Sequence, residues 1–257
     1  MLRIGIAQTA NHYEYDLNQQ AIVRALEVHA KNAVDLVLFP ECATTGYNRG
    51  LLTIDEPKLR AMIETIQAQA RRLKIAVAVP TPWPRGDGKF FNSLMLISES
   101  GEIIQRLDKV GFQRGEDRLF VPGEPCSRAF NFKGTRVGVL ICIEASNGAW
   151  SFLKPEDQCD VILWPGFYGN KPGQRWEHYE SPDDLKIKAN IGSWKSAMVQ
   201  VTCASSPESQ HWPDRVFGGS VVLDRMGKCV FTAKQSAEDM IAIDFKGGEL
   251  LSARSIF

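Results

Sequence analysis

Two phrases of this chain occur twice. "LRIGIAQT" at residues 2–9 leads, after an amphipathic stretch, into "VDLVLFPE" at 34–41; "TRVGVLIC" at 135–142 leads into "CDVILWPG" at 159–166. Both second phrases run Asp, three aliphatic residues, an aromatic residue and a proline. Short apolar runs bounded by turn residues read as buried strands, and parallel strands joined by a crossover need helices over the sheet. The pattern predicts an α/β protein built from two related strand-helix-strand units. A coincidence drawn from the small alphabet of apolar strands is the alternative reading.

The remaining elements fit that class. Asp16 reads as the cap of a first helix whose Leu17, Ala21, Ile22, Ala25, Leu26 and Ala33 share a face. Residues 55–73 read as a second helix, with Asp55 and Pro57 at its start and Leu59, Met62, Ile63, Ile66, Ala70 and Leu73 on one side. "IAVAVP", "FNSLMLIS" and "EIIQRLDKV" then suggest three successive strands, with "GDGK" at 86–89 as a turn between the first two and not a phosphate loop. Ser181 and Pro182 open a third helix carrying Leu185, Ala189, Trp194 and Met198. Strands follow near "MVQVTCAS", "FGGSVVLD", "KCVFTA" and "MIAIDF". No linker or low-complexity stretch divides the chain, so residues 1–257 are expected to form a single domain.

Composition narrows the partners. Thirty basic and thirty acidic residues cancel, and no block of like charge points to nucleic acid or to an anionic membrane surface. Apolar runs fall far short of the roughly 20 residues that span a bilayer, and the N-terminus lacks a signal-peptide pattern. Cysteines 42, 126, 142, 159, 203 and 229 form no CxxC pair, which suggests reduced thiols in a cytoplasmic protein. His12, His29, His178 and His211 show no metal-ligand spacing, so no metal is expected.

In α/β sheets, sites gather beyond the carboxyl ends of strands. Glu41 and Cys142 sit at such ends, one in each unit, and Lys109 follows "EIIQRLD" toward the same rim. A free thiol with a pKa of about 8.5 is a poor nucleophile at neutral pH without a neighbouring base or cation. A carboxylate at Glu41 and an ammonium at Lys109 would supply both, and the cation would also stabilise a tetrahedral oxyanion. Each residue also has a structural reading: Cys142 as an inert packed thiol, Glu41 as a solvated loop carboxylate, Lys109 as a surface lysine.

Three phrases taken in order, "LVLFPECATTGY", "DKVGFQRGEDRLFVPGE" and "GVLICIEASN", resemble the carbon-nitrogen hydrolase, or nitrilase, superfamily. The resemblance covers nearly the whole chain: "IGIAQT", "FNSLMLISESGEII" and "GGSVVLDRMGK" look like the family's first strand, middle hairpin and late hairpin. It implies a four-layer α-β-β-α sandwich with two mixed β-sheets, commonly paired into homodimers or higher homo-oligomers. It also implies a catalytic triad of Glu41, Lys109 and Cys142, with Glu116 orienting the lysine and substrate and the backbone N-H of Ile143 holding the oxyanion. The expected reaction is hydrolysis of a small amide through a cysteine thioester, without a cofactor. Nitrile hydrolysis, acyl transfer by the same triad and a catalytically silent binding protein are the alternatives.

The chain departs from the family's patterns in three places. "CIEASNGAW" lacks the Tyr-Asp-x-Arg-Phe-Pro-Glu that follows the cysteine in many amidases. Ile143 replaces the tryptophan common in members specialised for nitriles. "WPGFYGN" replaces the usual Asn-Pro or Asn-Ser after the second Pro-type strand. Substrate choice therefore stays open among ω-amides, N-carbamoyl compounds and aliphatic amides. Tyr47, Phe167, Tyr168, Trp176 and His178 are possible pocket residues, with ordinary packing as their alternative reading. Arg49 or Arg175 is a possible partner for a substrate carboxylate.

Overall fold

The computed structural model of the chain describes residues 1–47, 51–113, 115–146, 158–167, 182–208, 216 and 218–257, with the backbone alone for residues 182–186 and 188. Among these, strands β1 (Leu2–Gln8), β2 (Leu36–Leu38), β3 (Ala76–Pro84), β4 (Phe90–Ile97), β5 (Ile103–Asp108), β12 (Asp239–Lys246) and β13 (Glu249–Ser255) form a seven-stranded sheet in the order β13-β12-β1-β2-β3-β4-β5. Strands β6 (Ala129–Phe132), β7 (Thr135–Val139), β8 (Val161–Pro165), β9 (Ala197–Val201), β10 (Val221–Leu223) and β11 (Cys229–Thr232) form a six-stranded sheet in the order β11-β10-β9-β8-β7-β6. Both are mixed: β1, β2 and β3 run parallel, as do β7, β8 and β9, with antiparallel strands flanking each set.

Strand alternation builds the layers. Ile4, Ile6, Leu36, Leu38, Ala76 and Ala78 of one sheet face Val137, Val139, Val161, Leu163, Ala197 and Val199 of the other in a shared core. On the outer face of the first sheet, Val37, Phe39, Val77 and Val79 pack beneath α1 (Tyr15–Lys31) and α2 (Glu56–Leu73). On the outer face of the second, Ile162, Trp164 and Met198 pack beneath α3 (Pro182–Trp194). The expected four-layer α-β-β-α sandwich is present.

The repeated phrases prove to be structural equivalents. Ile4, Gly5 and Ile6 pair in register with Leu36, Val37 and Leu38, while Val137, Gly138 and Val139 pair with Val161, Ile162 and Leu163. Each unit's Asp ties the strand pair the same way. The Arg3 N-H donates to the Asp35 carboxylate at 2.8 Å and the Arg136 N-H to the Asp160 carboxylate at 3.0 Å. The amides of Asp35 and Asp160 in turn donate to the carbonyls of Arg3 and Arg136, each at 2.8 Å. The units lie in different sheets, one facing the other, and not side by side in one. The crossover of the second unit falls largely outside the described residues.

Several local expectations need correction. Asp16 lies in the first turn of α1, whose N-cap is Glu14, and favours the helix dipole without capping it. Leu17 and Ala33 are exposed, whereas Asn18 and His29 are buried on the helix's inner face. His29 fits because its ring N-H can donate to a carbonyl, the two ring nitrogens lying 2.7 Å from Ala25 O and 3.1 Å from Ile6 O. It also needs Gly5 beneath it, where a Cβ would come within 2.3 Å of the ring. Met198 is on β9 and not on α3, which ends at Trp194. Asp55 does cap α2, accepting from Lys58 N at 3.1 Å. Residues 85–89 make the expected turn, closed by Arg85 N to Lys89 O at 2.9 Å.

Candidate active site

β2, β5, β7 and β8 all point their carboxyl ends at one rim, and the two sheets meet there. Ala10 and Ala204 bridge across, with Ala204 N donating to Thr9 O at 2.9 Å and Asn11 N to Ala204 O at 3.1 Å. Glu41 follows β2, Lys109 follows β5, Cys142 follows β7 and Phe167 follows β8.

Lys109 is fully buried and its ammonium lies between two carboxylates, 2.8 Å from Glu41 Oε1 and 2.7 Å from Glu116 Oε1. Two carboxylates against one ammonium leave the cluster with an uncompensated negative charge. Burial opposes the ammonium, but the fields of Glu41 and Glu116 outweigh it and hold the Lys109 pKa well above the usual lysine value. Lys109 is thus a fixed cation.

Glu41 is held by three donors: Lys109, the Asn92 side-chain amide to Oε1 at 2.8 Å, and the Phe167 backbone N-H to Oε2 at 3.1 Å. Burial raises its pKa, Lys109 opposes that, and the Glu116 anion adds to the rise. A carboxylate of raised pKa is a better proton acceptor than a surface one. Glu116 also accepts from Tyr47 OH at 2.6 Å and Gln113 N at 2.7 Å, so it is a buried anchor for the lysine.

Cys142 begins a short 3-10 turn, Cys142–Ala145, and takes a left-handed φ of 51°. Such a conformation is strained for a residue with a Cβ. Trp164 Nε1 donates to its carbonyl at 2.9 Å and helps to hold the turn. Burial raises the thiol pKa, as does the Glu41 anion, while Lys109 and the Phe167 N-H pull it down. The resting thiol is neutral, inside the field of the Lys109 cluster. Ile143 follows in the same turn, half-buried.

The site contains a second buried thiol. Cys42 adjoins Glu41 and also has a left-handed φ, 53°. It is 0% exposed against 7% for Cys142, packs with Leu51 and Phe120, and turns its sulfur toward Asn92 Oδ1 at 4.0 Å. That sulfur lies inside the wall and offers a substrate no approach.

Of the possible pocket residues, Tyr47 and Phe167 come together, their rings stacked with centroids 4.7 Å apart at 19°. Tyr168, Trp176, His178, Arg49 and Arg175 lie outside the described residues. Sequence reasoning missed Asn92, the Phe167 amide and Gln113. Asn92 left a trace as a polar residue in the apolar run "FFNSLMLIS"; the two backbone donors left none. Among the described residues, no group of His, Cys, Asp or Glu is arranged to hold a metal ion, and no helix is long and apolar enough to cross a membrane.

Known proteins resemble the chain over most of its length. A hydrolase of Schizosaccharomyces pombe is 24% identical over 247 residues, covering 91% of this chain and 73% of its own. A citrullinase of Francisella tularensis subsp. tularensis is 22% identical over 244 residues, covering 88% and 82%. Among solved structures, a mutant of the amidase from Nesterenkonia sp. AN1 superposes with a TM-score of 0.81 at 19% identity, covering 96% of this chain and 94% of that one. That structure shows the result of Michael addition of acrylamide at the amidase's active-site cysteine. The fold is therefore shared with an amidase. The model of the carbon-nitrogen hydrolase family matches residues 3–249, and the chain belongs to that family.

Proposed function

We propose that the protein hydrolyses the C-N bond of a small amide through a thioester on Cys142. The observation that carries this reading is the Lys109 ammonium, buried and fixed between Glu41 and Glu116, in whose field the Cys142 thiol lies.

Glu41 takes the thiol proton as the sulfur attacks the carbonyl carbon. The carbonyl electron pair moves to oxygen, where Lys109 and the backbone N-H of Ile143 receive the charge. As the intermediate collapses, the C-N bond breaks and the departing nitrogen takes the proton from Glu41, leaving as ammonia or an amine. Glu41 then deprotonates a water that attacks the thioester, and the thiolate leaves and regains a proton. Placing these groups within one buried cluster accounts for the use of a weakly acidic thiol: the thiolate forms only against the substrate, where its charge passes to a stabilised oxygen.

The amidase and citrullinase likenesses favour amides and ureido compounds as substrates. Ammonia release from a panel of ω-amides, N-carbamoyl amino acids, N-carbamoyl amines, short aliphatic amides and nitriles, measured for wild type and folded Cys142→Ala, tests the reading. Turnover of one amide class that vanishes in the variant supports it, and equal turnover in both proteins overturns it. A homodimer is part of the proposal, tested by light scattering of the purified chain.

A further inference from the structure

Glu144 stands two residues after the proposed nucleophile, and the mechanism above makes no use of it. Its carboxylate is buried and touches neither Lys109 nor the sulfur directly. Four donors converge on it instead. Oε1 accepts from Val110 N at 2.7 Å, from Arg128 Nη2 at 2.7 Å and more weakly from Gly111 N at 3.4 Å. Oε2 accepts from Ile141 N at 2.8 Å.

The identity of those donors matters. Val110 immediately follows Lys109, and Ile141 immediately precedes Cys142. Arg128 Nη2, besides meeting Glu144, donates to Asp108 O at 3.0 Å, on the other side of Lys109. The backbone of the lysine is thereby grasped before and after, and the same carboxylate holds the entrance to the cysteine's strained turn. The two segments come from different sheets, so no strand ladder fixes one against the other.

We infer that Glu144, braced by Arg128, is a positioning clamp that sets the lysine ammonium and the cysteine sulfur at their working separation. Only an acceptor-only group can serve four donors; an amide would turn its own N-H₂ on at least one of them. Replacing Glu144 by Gln keeps the shape but breaks the convergence. The displacement expected at the site is a fraction of an ångström to about 1 Å, and misplacement of that order lowers turnover by up to about a hundredfold.

This inference rests on the reading of Cys142 as nucleophile, and its test separates the two. The amide turned over in the panel is assayed with wild type, Cys142→Ala, Glu144→Gln and Arg128→Gln. Alongside, the pH dependence of iodoacetamide alkylation at the Cys142 peptide is followed by mass spectrometry. The clamp predicts that Glu144→Gln lowers kcat by about tenfold to a hundredfold with KM changed by less than about threefold. It also predicts that the alkylation midpoint moves to higher pH, because the thiolate loses its cation. Arg128→Gln moves both readouts the same way by less. Glu144→Gln with wild-type kcat and an unmoved midpoint overturns the clamp, even where its melting temperature falls, since a merely structural carboxylate would lower stability without touching the thiol. Should Glu144→Gln not fold, Arg128→Gln decides alone on the same two readouts. If Cys142→Ala retains full turnover, the nucleophile reading fails instead.

Discussion

The indole N-H of Trp164 donates to the carbonyl of Cys142 at 2.9 Å, joining the last turn of β8 to the residue that leaves β7 in a left-handed conformation. Trp164 is fully buried against Ile187 and Ile191 of α3, so the outer helix layer reaches the proposed nucleophile through one ring. Trp164→Phe retains most of the packing and deletes the donor. Losing this buried hydrogen bond costs about 0.5–1.5 kcal/mol, which denaturant unfolding should register. Relaxation of the turn should lower kcat by about tenfold or more while KM moves less.

The acid limb of the pH profile follows from Glu41. Burial raises its pKa above the ordinary carboxylate value, and the proposed base must be ionised to accept the thiol proton. Turnover should therefore fall away on acidification at a pH above the usual glutamate pKa of about 4.3. No alkaline limb from Lys109 is expected below about pH 10, because its pKa is raised above the ordinary lysine value. Rates of kcat/KM measured from pH 4 to 10 check both limbs; a loss centred near neutral on the alkaline side would contradict the fixed cation.

Cys42 and Cys142 share the field of Glu41 and Lys109, so electrostatics alone does not tell them apart. Cys42 faces the packed wall formed with Leu51 and Phe120. Cys42→Ala should retain turnover within a few-fold and lose stability by about 1–2 kcal/mol, whereas Cys142→Ala should abolish turnover. A dead Cys42→Ala that is folded, beside an active Cys142→Ala, would exchange their roles.

Asp244 on β12 links strands at the sheet's edge, accepting from Arg3 Nε at 2.6 Å, Ser252 Oγ at 2.9 Å and Arg254 Nη1 at 3.4 Å. The Arg3 bond depresses its pKa. Its contribution is therefore full above the unfolded carboxylate pKa of about 3.9 and is lost as pH falls through the lower folded value. Asp244→Asn should cost about 1–2 kcal/mol at pH 7, with the difference from wild type shrinking below about pH 3.5, as read from urea unfolding.

The three proposed reacting residues were legible because each lies in a contiguous phrase, and the repeated strands because Asp35 and Asp160 do the same work in both units. What escaped was either long-range or weakly patterned. Arg128 reaches Glu144 from a segment that no periodicity links to the cysteine. β13 carries only exposed and half-buried residues at a sheet edge, so its hydrophobic signal is faint, and β6 spans only Ala129–Phe132. Asn18 and His29 are buried where local carbonyls accept their N-H groups, which a hydrophobicity pattern cannot register.

Glu41 and Lys109 hang from one sheet and Cys142 from the other, so the thickness of the filling between the sheets sets how far the proposed base and cation stand from the proposed nucleophile. Ala76, Ala78 and Ala197 stand in that filling, where a larger side chain would wedge the layers apart. The repeat adds a second consequence. By its alignment, the counterpart of Glu41 is Gly166 and that of Cys142 is Thr9. The two similar halves thus differ at the very positions where each contributes a residue to the proposed site, which lies in the gap they share.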